Sequence, residues 1–112
     1  MKNMTKLIDI KTSTLRSGNV FRVPGQWPYE EFVDFMVVDL SSSERPYGLI
    51  VTSGHKAGLM LVKFPAECSL NEIRGLSTQW VIDNWAEWIY PECNVEDVHV
   101  LERYLITPET KY

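Results

Sequence analysis

The feature that most constrains the fold is residues 77–90 (STQWVIDNWAEWIY), which carry three of the chain's four tryptophans. Ser77 suits a helix start, because a serine hydroxyl can accept a hydrogen bond from a free N–H of the first turn. Pro91 ends the segment, because proline cannot continue a helix. At 100° per residue, most of its apolar side chains fall within an arc of about 160°: Val81, Ile82, Trp85, Ala86, Trp88 and Ile89. The segment therefore predicts one amphipathic helix that packs on a core.

The chain before this segment has the patterns of a β-sheet. Residues 32–40 (FVDFMVVDL) are rich in valine and phenylalanine and are apolar on both faces, which predicts a central strand. Residues 47–52 and 59–64 flank a glycine-containing loop and predict a hairpin. Further strands are predicted at residues 7–10, 20–23 and 98–106.

These elements predict an α+β fold in two layers. A mainly antiparallel, meandering sheet of five or six strands is packed by one principal helix at about 77–90. The length of 112 residues fits a single domain, 1–112. We expect its ends, residues 1–6 and 107–112, to be loose.

Charge is distributed unevenly along the chain. Residues 67–102 contain eight acids and one base, a net charge of −7, whereas the rest has ten bases and seven acids. The total is −4 and the pI is near 5.1, which disfavours a nucleic acid as partner because phosphate binding needs a basic face. The first ten residues lack the features of a signal peptide, and no apolar run reaches the roughly 18 residues that span a bilayer. We therefore expect a cytoplasmic protein that does not enter a membrane.

Trp80 lies on the polar side of the predicted helix, opposite the core face. It is either covered by a neighbouring segment or exposed as a binding anchor, since tryptophan is enriched in interface hot spots. The acidic run is either a solvated surface or a surface that steers a basic partner. The predicted partner-binding residues combine both features: Trp80, Asp83, Asn84, Glu87, Glu92, Glu96 and Asp97.

Candidates for catalysis and metal binding are few. His55 lies in the hairpin loop near Ser53 and Lys56, but residues two apart in a glycine-rich turn rarely adopt the geometry of a nucleophile and its base. Cys68, Cys93 and the two histidines are too scattered for a metal site. The cysteines are either two buried thiols or a disulfide that clamps the helix ends. We predict no enzyme, no cofactor and no metal.

Two runs of residues resemble those of a known class of proteins. They are residues 48–58 (GLIVTSGHKAG) and the pattern Trp80-x-x-Asp-Asn-Trp85-x-x-Trp88. Over about residues 20–104, the chain resembles small bacterial immunity proteins of polymorphic toxin and contact-dependent inhibition systems. The resemblance implies a cytosolic antidote that binds and blocks the C-terminal domain of a toxin, often a basic nuclease. It assigns no interface residue.

Two other functions remain open. An acidic decoy or adaptor that binds a nucleic-acid-processing protein would recognise several unrelated basic proteins, whereas an immunity protein should bind one partner. A small enzyme that uses His55 would lose its activity in a His55→Ala variant.

Overall fold

The computed structural model of this chain describes residues 4–25, 31–69 and 75–104. The described residues form a six-stranded antiparallel sheet and a separate two-stranded pair. The strands are β1 Met4–Lys6, β2 Thr14–Leu15, β3 Val20–Pro24, β4 Phe32–Asp39, β5 Tyr47–Val51, β6 Met60–Lys63, β7 Leu76–Ser77 and β8 His99–Leu101.

The order of strands in the large sheet is β1-β8-β3-β4-β5-β6, and β2 pairs with β7. β3 to β6 form a meander, and β8 returns to lie between β1 and β3. The predicted strands at 20–23 and 32–40 and the hairpin are therefore confirmed, and the second of them is central, as expected. β4 is central because its alternate residues are apolar on both faces, so both faces can be covered.

Helical structure is short. An α-helix, α1, spans Thr78–Asp83. A π-helical turn follows at Trp85–Ile89. Single 3-10 turns lie at Leu7–Asp9, Ala66–Cys68 and Val95–Asp97. The mainly antiparallel sheet agrees with an α+β fold, whereas a single principal helix over 77–90 is not observed.

The core lies between one face of the large sheet and the helical segments. Phe21, Phe35 and Leu49 project from neighbouring strands, and Val81 and Trp85 cover them from the helical side. The rings of Phe21 and Trp85 meet edge to face, with their centroids 5.7 Å apart. The prediction that Trp85 belongs to the core is confirmed.

The opposite face of the sheet carries a cross-strand apolar row. Residues that pair in an antiparallel sheet project from the same face, and the observed register links one residue from each of the six strands. From one edge to the other they are Met4, Leu101, Val20, Met36, Ile50 and Met60.

Three local expectations differ from the structure. Residues 4–6, predicted to be loose, pair with β8, while residues 1–3 and 105–112 lie outside the described residues. The predicted strand at 7–10 begins instead as a 3-10 turn, in which the Leu7 N–H donates to the Val98 carbonyl. β8 ends at Leu101, and the Asn19 side chain donates to the next carbonyl, that of Glu102, at 2.7 Å.

Candidate partner-binding surface

The start of α1 is fixed from two sides. The Ser77 hydroxyl accepts a hydrogen bond from the Trp80 N–H at 3.1 Å, as the sequence predicts for a helix cap. Ser77 also pairs with Thr14 through the β2–β7 ladder. Gly75 has φ +154°, and a Cβ atom there would lie 2.9 Å from the Thr14 Cβ. A close approach to β2 therefore requires glycine just before the helix.

The end of α1 shows why the predicted helix does not continue. Both the backbone N–H and the side-chain amide of Asn84 donate to the Trp80 carbonyl, at 3.0 and 2.8 Å. Asn84 has φ −115° and ψ 15°, outside the helical range. The chain then widens into the π turn, in which the Tyr90 N–H reaches the Trp85 carbonyl. Asparagine competes with helix geometry through such side-chain contacts.

Trp80 is half-buried and packs against two other rings. Its centroid lies 5.2 Å from that of Phe64 and 5.8 Å from that of Trp88. Phe64 directly follows β6, so the hairpin edge covers part of the indole. Of the two alternatives for Trp80, the structure thus shows partial cover by a neighbouring segment. Trp88, predicted to be a core residue, packs against the core but is also only half-buried.

The five carboxylates of the predicted surface are all exposed: Asp83, Glu87, Glu92, Glu96 and Asp97. Asp83 accepts a hydrogen bond from the Gln79 side chain at 2.8 Å. Within residues 4–25, 31–69 and 75–104, none of the five lies within 4.0 Å of a cationic side chain. Their charge is therefore available to a partner, whereas Asn84 and Trp80 also serve the local structure.

These residues fall into two groups along the chain. Trp80, Asp83, Asn84 and Glu87 belong to α1 and the π turn, and Glu92, Glu96 and Asp97 to the loop and 3-10 turn that follow. Glu92 and Asp97 line one shallow cleft, together with Tyr90 and Cys93. The burial of Cys93 and the charge of Asp97 raise the pKa of this thiol.

A polar network that the sequence analysis did not predict lies on the face of the sheet opposite the core. Arg22 binds both carboxylate oxygens of Asp34, at 2.8 and 2.9 Å. Tyr104 donates its hydroxyl to the same carboxylate at 2.6 Å and lies 2.7 Å from the Thr52 hydroxyl. Burial, followed by the hydrogen bond to Asp34, raises the pKa of Tyr104 to about 12. The Arg22–Asp34 pair could have been predicted from the sequence, because the two residues are opposite charges within neighbouring predicted strands.

The candidates for catalysis are not assembled into a site. His55 is exposed in the hairpin turn, and the nearby Ser53 hydroxyl instead accepts the Asp34 N–H at 2.9 Å. Cys68 and Cys93 are free, buried thiols rather than a disulfide. Burial raises the pKa of Cys68 to about 11. Among the described residues, no three His, Cys, Asp or Glu side chains are grouped so that they could hold a metal ion.

The described helices are all too short to cross a membrane. What the fold defines is a small α+β protein, built mainly on an antiparallel sheet. Comparison of the sequence with protein families gives a more specific result. The family described as immunity protein 45 (Imm45) matches residues 7–100. The chain belongs to this family, which indicates an immunity, or antitoxin, role. No curated protein and no solved structure matches the chain.

Proposed function

We propose that this chain is a stoichiometric inhibitor that binds a cognate bacterial toxin domain in the cytoplasm and blocks it. The observation that carries the proposal is membership of the immunity protein family, which matches most of the chain. The toxin would belong to a polymorphic toxin or contact-dependent inhibition system. An inhibitor of this kind needs a surface complementary to the toxin rather than catalytic groups of its own.

The acidic surface supports a basic partner, and we propose a nuclease domain. The five exposed carboxylates, which form no ion pair with any residue that the structure describes, would create a negative potential that speeds the approach of a basic cleft. Nuclease clefts are basic because they bind phosphates. The half-buried Trp80 and Trp88 belong to the same helical segments as Asp83 and Glu87 and would add apolar area to a surface there.

Co-expression with the product of the gene immediately upstream tests the function. The wild-type chain should restore growth of cells that produce this toxin and should saturate at one inhibitor per toxin in a titration of the purified proteins. If the chain protects the cells without binding the toxin, or if the toxin kills cells that produce the chain, the proposal is contradicted. Equal binding to several unrelated basic proteins would favour an adaptor instead.

Charge reversal tests the surface separately. Glu87→Lys and Glu96→Lys should lower the association rate with the toxin and make this rate less dependent on salt, because both variants remove long-range attraction. Glu102→Lys is the matched control, since Glu102 is also exposed but is not one of the predicted partner-binding residues and follows β8, four strands away from β6. If the control weakens binding as much as the two test variants, net charge matters and the proposed surface does not.

A further inference from the structure

β6 lies at one edge of the six-stranded sheet and pairs with β5 on its inner side. The most exposed large apolar side chain of the described residues is Leu59, at 58%, and it directly precedes this strand. Met60 and Leu61 follow at 41% and 36%. Three consecutive exposed apolar residues at a sheet edge are unusual, because an open edge can pair with another chain. Met60 also ends the apolar row that crosses the opposite face of the sheet.

The same edge carries positive charge. Residues 45–63 contain three bases and no acid: Arg45, Lys56 and Lys63. The Arg45 guanidinium donates to the Lys63 carbonyl at 3.3 Å, so it lies along the edge backbone. Lysines and bulges protect natural edges from indiscriminate pairing, and here a register shift lies between Leu49 and Ile50 of the facing strand. Such charges also select the partner, since they repel a basic strand and attract an acidic one.

The edge is continuous with the acidic surface of the helical segments. Phe64 follows β6 and packs edge to face against Trp80, which in turn contacts Trp88. β6 also packs beside the π turn that carries Glu87. One partner could therefore contact the edge and the helical surface together.

We infer that the β6 edge receives an extended segment of the cognate toxin that carries both apolar and acidic side chains, by strand addition. This inference rests on the proposed function. Backbone hydrogen bonds would supply affinity, the apolar side chains at 59–61 would be buried, and Arg45 and Lys63 would pair with the acids. A second copy of this chain is a poorer occupant, because two β6 strands would bring the bases of both copies to one edge.

Two variants with matched controls test the inference against a purified, inactivated toxin domain. The double variant Leu59→Gln/Leu61→Gln should raise the Kd at least about tenfold, whereas Ile8→Gln should not, although Ile8 is similarly exposed at 40%. Lys63→Glu should also weaken binding, and its control is Lys11→Glu at another exposed lysine. Amide hydrogen exchange of residues 59–63 should slow when the wild-type complex forms. Circular dichroism and the urea midpoint verify that each variant is folded.

The outcomes separate the inference from the proposed function. If the wild type binds the toxin, but the edge variants bind equally well and exchange at 59–63 is unchanged, the function stands and the inference is wrong. If only Lys63→Glu has no effect, the acidic character of the segment is refuted. If the free wild-type protein is a dimer and the Leu59→Gln/Leu61→Gln variant is a monomer, a second copy of the chain occupies the edge. If the wild type does not bind the toxin, both proposals fail.

Discussion

Replacing Arg22 by methionine should destabilise this protein more than most single changes on a sheet face. The change leaves the Asp34 carboxylate, which is 2% exposed, without its two guanidinium hydrogen bonds. Removing one partner of a buried ion pair costs about 3–5 kcal/mol, because the remaining charge is uncompensated. The Arg22 guanidinium also lies 4.1 Å from the Phe32 ring centroid, a contact worth about 0.5–1 kcal/mol at exposed sites.

Two features place the expected loss near the lower limit. The Arg22 side chain is 27% exposed, so water can reach the carboxylate once the guanidinium is gone. Tyr104 would still donate its hydroxyl to Asp34. We therefore expect a loss of about 3 kcal/mol in the free energy of unfolding. With a urea m-value of about 1.5 kcal/mol per molar, the midpoint should fall by about 2 M.

The double variant Arg22→Met/Asp34→Leu is the decisive control. It removes both charges and replaces them with apolar groups, so it should recover much of the stability that the single variant loses. Urea unfolding followed by tryptophan fluorescence measures both variants. A single variant that loses less than about 1 kcal/mol, or a double variant as unstable as the single one, would refute the reasoning.

Three further predictions concern individual side chains. The folded pKa of Tyr104 is about 12, whereas its ordinary value is 10, so the contribution of this hydroxyl to stability is complete below pH 10 and is lost as the pH rises towards 12. Absorbance titration should show the late ionisation of Tyr104, and the Tyr104→Phe variant should lack it. Cys68 and Cys93 should react with a thiol reagent at pH 8 only when the protein opens, because burial raises both pKa values; rapid reaction of the native protein would contradict this. Trp80→Ala should cost roughly 2 kcal/mol of unfolding free energy, less than the about 3–5 kcal/mol of a fully buried tryptophan; unfolding in urea measures the loss, and no change would show that the Phe64 and Trp88 contacts contribute nothing.

β3, β4 and the β5–β6 hairpin could be predicted because their information is local. β4 carries apolar residues on both of its faces, which marks it as a central strand. In the β5–β6 hairpin, Gly54 and Gly58 adopt positive φ angles, of 76° and 98°. The Ser77 cap is local too, since its donor is three residues away. Patterns of this range can be read from a sequence without knowledge of the fold.

The helix break and the cover over Trp80 could not be predicted in the same way. Helical periodicity continues through residue 84, but it does not show that the Asn84 side chain turns back to the Trp80 carbonyl. Phe64 meets Trp80 only after the chain has crossed from the sheet edge to α1. Likewise, 70 residues separate Asp34 from Tyr104. These contacts depend on how elements pack, which a propensity does not contain. The domain assignment and the seven partner-binding residues stay predictions.

The position of Trp80 determines how any loss of toxin binding should be interpreted. Its ring contacts Phe64, which follows the β6 edge, and Trp80 belongs to α1, the helix that carries Asp83. An alanine at this position would therefore disturb both proposed contact surfaces as well as any direct contact. Trp80→Phe keeps an aromatic ring against Phe64 but reduces the exposed area that a toxin could bury. If Trp80 anchors the toxin, this variant should keep most of its stability and still lose affinity. If Trp80 only joins the edge to the helix, affinity should follow stability in both variants.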